Sequence, residues 1–126
     1  MKEKLHFNSQ TIHGGQHPDK AYGAVMPPIY QTSTYAQTTP GGHKGFEYSR
    51  THNPTRQALE QSLASIEAGT FGFAFGSGLA AMDAVLKLLK PGDEVITPSF
   101  TYIATTEVMA LLCLKPVFVE VDKNTP

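Results

Sequence analysis

The sequence has no tryptophan, a single cysteine and no long apolar run. The lone cysteine, Cys113, excludes an intrachain disulfide framework and any CxxC metal or redox site. Its 10 lysines and arginines balance 11 aspartates and glutamates, so a basic nucleic-acid groove or a polybasic membrane patch is excluded as the main feature. Its apolar runs fall far short of the ~20 residues that cross a bilayer, and residues 1–8 lack an apolar signal segment. We therefore expect a cytoplasmic protein.

Charged residues are also scarce, at 17% of the chain, against about 25% in ordinary globular domains. Apolar residues make up 40%, which excludes disorder throughout the chain. A thinly charged surface on a folded chain indicates contact with further protein. The five histidines are scattered and show no helical pair at metal-ligand spacing, so no metal site is predicted.

Residues 1–53 are rich in glycine, proline and aromatic side chains and show no helical periodicity. Only residues 29–35 resemble a strand. A loop-rich segment of this length is usually functional or part of an interface. Its aromatic side chains would be poorly placed in water, so we predict an arm that docks on another protein surface.

From residue 54 the pattern is regular and predicts an α/β fold. Asn53 followed by Pro54 is typical of a helix start. The predicted order is a helix from Pro54 to a stop near Gly69, a strand over 71–75, a helix over 79–89, a strand over 94–97, a helix over 103–112 and a strand over 116–121. This alternation indicates βαβ units and a mainly parallel sheet.

Three features of the sequence could carry chemistry. Gly76, Ser77 and Gly78 join a predicted strand to a helix, an arrangement that seats phosphate groups but also serves as a plain tight connection. Tyr102 follows the next strand, at the edge where parallel sheets bind ligands, although its position alone favours an ordinary core or rim tyrosine. Arg50, in the arm, offers a planar fork for phosphate or carboxylate, or is simply a surface arginine.

Four stretches resemble the pyridoxal-phosphate (PLP) enzymes of Cys/Met metabolism, the trans-sulfuration family of cystathionine γ-synthase and γ-lyase. They are TIHGG at 11–15, PPIYQTSTY at 27–35, FEYSRTHNPT at 46–55 and GSGLAA at 76–81. The resemblance implies the type I aminotransferase fold, with an intersubunit arm over 1–53 and the start of the large PLP-binding domain over 54–126. It also implies a homo-oligomer, a dimer or tetramer, that acts on a small amino-acid substrate by γ-replacement or γ-elimination.

The same resemblance implies roles for six residues. Ser77, Gly78 and Leu79 would hold the PLP phosphate, the last two through backbone N–H groups. Tyr48 and Arg50 would reach the phosphate of the neighbouring subunit's PLP. Tyr102 would stack on the PLP ring, and both tyrosines could assist catalysis.

Residues 97–126 are similar instead to the sugar aminotransferases of the DegT type, which also use PLP on the type I fold. The change falls near Ile96, as in a chimera of the two families, and Tyr102 keeps its stacking role in both. A keto-sugar aminotransferase is therefore an alternative function.

No lysine of the sequence stands in the context expected for the residue that binds PLP covalently. This holds for the four lysines that follow residue 54, which are Lys87, Lys90, Lys115 and Lys123. We therefore expect the chain to be an N-terminal fragment that is inactive alone. A catalytically dead phosphate-binding or assembly module is a third alternative.

Overall fold

The structure is a computed structural model that describes residues 5–122 and divides into two compact units, one ending at Ala74 and one beginning at Phe75. The elements are α1 (Phe7–His13), α2 (Pro54–Ile66), α3 (Gly78–Leu86), β1 (Glu94–Pro98), α4 (Ala104–Leu111) and β2 (Lys115–Val119). Within residues 5–122, no helix is long and apolar enough to span a bilayer. Lys123, one of the four lysines considered above, lies outside the described residues.

In the first unit, two helices support a long irregular segment. The short helix α1 was not predicted; it is tied to α2 by the side-chain amide of Gln10, which donates to the carbonyl oxygen and the hydroxyl of Ser65. Gly15 has φ +68°, and an added Cβ would lie 2.4 Å from the Gln61 carbonyl oxygen, so only glycine allows this approach to α2. The predicted strand over 29–35 is reduced to one bridge, Thr34 with Tyr48.

Helix α2 begins as predicted. The Asn53 side chain accepts hydrogen bonds from the backbone N–H groups of Thr55 and Arg56, and Pro54 occupies the first helical position. Since the first unit contains α2, it extends beyond the predicted arm; an intersubunit arm over 1–53 stays a prediction.

The predicted strand over 71–75 is wrong, because a strand needs a hydrogen-bonded partner and no described residue pairs with this segment. Its small residues nevertheless pack on a helix, as predicted. A Cβ on Gly72 would lie 2.3 Å from the carbonyl oxygen of Glu60 in α2, whereas Phe71 and Phe73 are exposed.

The second unit is built on the parallel pair β1 and β2, in a register that places Glu94 opposite Lys115 and Pro98 opposite Val119. Both strands and α4 were predicted, and α3 ends at Leu86 instead of continuing to residue 89. The core consists of Leu86, Val108, Met109 and Leu114, with Met82, Val95 and Leu112 packed against it. This core joins α3, α4 and the sheet.

Cys113 is exposed, whereas the sequence predicts a buried cysteine at the end of the helix over 103–112. Helix α4 ends at Leu111, and Cys113 follows in the left-handed region with φ 55°. Its carbonyl oxygen accepts from the N–H of Gly92 at 2.8 Å, which joins the turn before β1 to the turn before β2.

Candidate functional site

The amino terminus of α3 is the first part of the site. Ser77 is the extended N-cap residue of α3, and its Oγ accepts from the N–H of Ala80 at 3.1 Å. Its carbonyl oxygen accepts from the N–H of Ala81 at 3.1 Å. The backbone N–H groups of Gly78 and Leu79 have no acceptor inside the helix, since they belong to its first turn. They lie at the positive end of the helix dipole, which favours an anion.

The space around this terminus is open. An added Cβ on Gly76 or Gly78 would meet nothing within 4 Å, and Leu79 is exposed. Two free N–H donors, a serine hydroxyl and a helix dipole fit a phosphate group in both charge and hydrogen bonding. The residues present therefore match the requirements of a PLP phosphate.

Tyr102 is the second part of the site. It lies between the end of β1 and the start of α4, and its carbonyl oxygen accepts from the N–H of Thr105 at 3.2 Å. The side chain is 79% exposed, so Tyr102 is not a core residue and its ring is free to stack on a planar group.

Helix α3 and strand β1 contribute to the same core: Met82 and Leu86 of α3 and Val95 of β1 belong to it, and residues 87–93 connect the two elements. In α/β folds a helix that leads into a parallel strand usually runs antiparallel to it. We therefore expect the amino terminus of α3 on the side where β1 ends, the edge at which parallel sheets bind ligands.

Tyr48 and Arg50 lie together in the first unit. The carbonyl oxygen of Tyr48 accepts from the N–H of Thr51 at 3.1 Å and from the N–H of His52 at 2.9 Å, which closes a tight turn over these residues. The guanidinium carbon of Arg50 lies 5.0 Å from the centre of the Tyr48 ring, a cation–π distance. Arg50 is exposed, so this turn presents a cation and a phenol side by side.

Two residues that support this turn were missed from the sequence. Arg56 donates to carbonyl oxygens of the turn and pairs with Glu60 one helical turn later. The only sequence signal was the spacing of four residues between an arginine and a glutamate at the start of α2.

An open cavity of about 640 Å³ also lies in the first unit, lined by Tyr30, Tyr35, Phe46 and other residues. Neither Tyr48 nor Arg50 lines it. The predicted phosphate-binding pair therefore lies on the surface of the unit and not in this cavity.

Two of the four lysines considered for covalent attachment of PLP are engaged in surface ion pairs. Lys87 Nζ lies 2.6 Å from Asp83 and Lys115 Nζ lies 2.6 Å from Glu94, and the two lysine side chains are 60% and 68% exposed. In the range 5–122, no three histidine, cysteine or acidic side chains are placed to share a metal ion.

The sequence model of the family "Cys/Met metabolism PLP-dependent enzyme" matches residues 8–124. The cystathionine beta-lyase of Coxiella burnetii is 53% identical over 100 residues, which are 79% of this chain and 26% of that protein. The cystathionine gamma-synthase of Mycobacterium bovis is 54% identical over 96 residues, 75% of this chain and 25% of that protein.

Two solved structures are similar throughout most of the chain. The metB protein of Corynebacterium glutamicum superposes with a TM-score of 0.83 at 37% identity, covering 92% of this chain and 32% of that one. The cystathionine gamma-lyase of Lactobacillus plantarum, complexed with L-serine, gives a TM-score of 0.81 at 40% identity, with 92% and 31% coverage. The chain spans about a quarter to a third of the length of these relatives.

The chain belongs to the family of Cys/Met metabolism PLP-dependent enzymes, and the predicted α/β fold of type I is confirmed. The match also covers residues 97–124, the segment whose sequence resembles the DegT-type sugar aminotransferases. A join between two families near Ile96 is therefore not needed to explain this segment.

Proposed function

We propose that this chain forms the amino-terminal, phosphate-binding part of a PLP-dependent trans-sulfuration enzyme of the cystathionine γ-synthase/γ-lyase type. The observation that carries the proposal is the open amino terminus of α3, to which Ser77 contributes the capping hydroxyl and Gly78 and Leu79 the first N–H groups of the helix. The supporting context is a chain whose relatives are cystathionine lyases and synthases.

PLP would supply an electron sink for negative charge at the substrate Cα. In our proposal Ser77, Gly78 and Leu79 bind the phosphate and fix the position of the ring. Tyr102 covers one face of the ring and limits the access of water to it. We assign no lysine of this chain to the covalent attachment of PLP.

Tyr48 and Arg50 are proposed to bind the phosphate of the PLP held by a second subunit, so that the working form is a homo-oligomer. The exposed Arg50 side chain, oriented by the Tyr48 ring, suits such a contact. We further propose that the enzyme acts on a small sulfur-containing or activated-homoserine amino acid in the cytoplasm.

The proposal is tested with the full gene product and the variant Ser77→Asp. Aspartate is as good an N-cap as serine, so α3 should persist, but its charge should repel the phosphate. We expect the wild type to bind PLP, with a visible absorbance band, and Ser77→Asp to lose binding while its far-ultraviolet circular dichroism stays unchanged. Lys87→Gln, in an ion pair on the same helix, is the matched control and should bind PLP normally.

Substrate assays complete the test. Release of a keto acid from cystathionine or from a homoserine ester supports the proposed reaction class. Amino transfer from glutamate to a keto-sugar would instead support the sugar aminotransferase alternative. PLP binding that survives Ser77→Asp would contradict the placement of the phosphate at α3.

A further inference from the structure

The guanidinium group of Arg56 contacts the backbone of the turn that presents Tyr48 and Arg50. Its Nη2 donates to the carbonyl oxygen of Thr51 at 2.6 Å. Its Nη1 lies 3.5 Å from the carbonyl oxygen of Ser49 and 3.4 Å from that of Arg50. One planar fork thus faces three successive carbonyl groups, a geometry that a lysine ammonium cannot reproduce.

Asn53 fixes the other side of the same turn. Its Nδ2 donates to Ser49 Oγ at 3.0 Å, and Ser49 Oγ in turn donates to the carbonyl oxygen of Thr32. The N–H of Ser49 donates to the carbonyl oxygen of Ser33 at 2.8 Å. The turn is therefore held from both sides, and Arg50 is among its exposed residues.

Glu60 extends the network to the segment that precedes α3. Its Oε1 lies 3.6 Å from Arg56 Nε and accepts from the backbone N–H of Ala74 at 3.0 Å. The Glu60 side chain is only 17% exposed, so water weakens these contacts less than at an open surface. Ala74 lies two positions before Gly76 in the chain. One ion pair thus holds both the turn of Tyr48 and Arg50 and the approach to the phosphate-binding loop.

We propose that Arg56 and Glu60 are positioning residues for phosphate binding, with Arg56 ordering the turn at Tyr48 and Arg50 and Glu60 anchoring the segment before Gly76. The proposal rests on the proposed function for the identity of the phosphate ligand. The ordering of the turn itself does not depend on that identity.

The ligand test compares PLP with pyridoxal, which has the same ring without the phosphate. In the full gene product, Arg56→Gln should raise the dissociation constant for PLP by about tenfold, the lower end of what loss of an orienting partner costs a ligand site. The dissociation constant for pyridoxal should not change. Glu60→Gln should give a smaller loss of the same kind. An equal loss for both ligands, or none for PLP, would refute the positioning role.

The structural test is amide hydrogen exchange without ligand. The N–H groups of Ser49, Thr51 and His52 are hydrogen-bonded within the turn or to the preceding segment, and in Arg56→Gln they should exchange faster. In Glu60→Gln the N–H of Ala74 should exchange faster. Lys87→Gln removes an ion pair of the same spacing, with Asp83 on α3, and should change none of these rates.

These measurements separate the two proposals. If the wild type binds no PLP, the proposed function fails, and the exchange rates alone decide whether Arg56 orders the turn. If Arg56→Gln does not fold, Arg56→Lys decides, because it keeps the charge but can contact only part of the three carbonyl groups. Unchanged exchange in a folded Arg56 variant would overturn the inference.

Discussion

Asn53 has two separable roles, and exchanging it for aspartate or alanine should separate them. Its Oδ1 accepts from the N–H groups of Thr55 at 2.9 Å and Arg56 at 3.4 Å and so caps α2. Its Nδ2 donates to the carbonyl oxygen of Tyr30 at 3.0 Å and to Ser49 Oγ at 3.0 Å. Asn53→Asp keeps the cap and removes the two amide donors, whereas Asn53→Ala removes both.

The expected magnitudes follow from these contacts. Aspartate caps a helix as well as asparagine does, so the cap contributes no loss in Asn53→Asp. The Ser49 hydroxyl keeps its bond to the Thr32 carbonyl oxygen, so the main loss is the donor to the Tyr30 carbonyl oxygen, worth about 1 kcal/mol. Asn53→Ala also removes the cap, which is typically worth about 1 kcal/mol and at most ~2 kcal/mol. We expect a loss in the free energy of unfolding of about 1 kcal/mol for Asn53→Asp and roughly 2–3 kcal/mol for Asn53→Ala.

The assay is urea unfolding followed by far-ultraviolet circular dichroism, with the midpoint compared at constant slope. Asn8→Ala is the control, since Asn8 is exposed and only its backbone carbonyl oxygen accepts a side-chain hydrogen bond, from Thr11. Its free energy of unfolding should change by less than about 0.5 kcal/mol. Equal losses in the aspartate and alanine variants would refute the division into a cap and a donor, and a wild-type midpoint for both would refute the network altogether.

Three further predictions concern the second unit. Gly78→Ala adds a methyl group that meets nothing within 4 Å, so it should raise the free energy of unfolding by about 0.5 kcal/mol. The same methyl group should weaken PLP binding, because it covers the approach to the N–H groups. Unchanged PLP affinity in a titration would contradict the site. Tyr102→Ala should leave the urea midpoint unchanged, because Tyr102 is 79% exposed, but it should alter the visible spectrum of bound PLP. Tyr102→Phe should restore that spectrum. A normal spectrum for the alanine variant would argue against stacking. Met109→Ala should lower the free energy of unfolding by about 2–5 kcal/mol, since Met109 is 2% exposed in a small core. Met26→Ala is the control, because Met26 is 77% exposed. Similar midpoints for the two variants would show that the core does not support the unit.

The elements that the sequence predicted are those specified by local signals. Asn53 and Pro54 mark the start of α2, and Ser77 marks that of α3, because a cap acts on backbone groups within three residues. Strands β1 and β2 were recognised from short apolar runs. Helix α1 was missed because its N-cap residue, His6, makes no capping hydrogen bond and the helix depends on a distant contact between Gln10 and Ser65.

The strand over 71–75 shows the opposite error. Its aromatic alternation is a good strand pattern, but pairing depends on a partner that local sequence does not specify. The same pattern did predict correctly that Gly72 and Ala74 face a helix. The alternation of aromatic and small residues thus predicted how the segment packs on a helix. It did not predict whether the backbone pairs with another strand, because that depends on a long-range contact.

The candidate site shows the same difference between local signals and long-range contacts. The candidate phosphate-binding groups lie beside helix starts: Ser77 caps α3 and is followed directly by the N–H groups of Gly78 and Leu79, and Asn53 caps α2 three residues after Arg50. A cap is a local signal that the sequence shows, and the family resemblance then proposed roles for the residues beside it. What joins the Arg50 turn to the segment leading to α3 is the contact of Arg56 with three carbonyl groups and of Glu60 with Ala74, fourteen positions away. A contact at that separation requires α2 to lie against both segments, which is a property of the folded unit and not of any stretch of sequence. Candidate phosphate-binding residues can therefore be proposed from the sequence, whereas the candidate positioning residues Arg56 and Glu60 are recognised only from contacts in the structure.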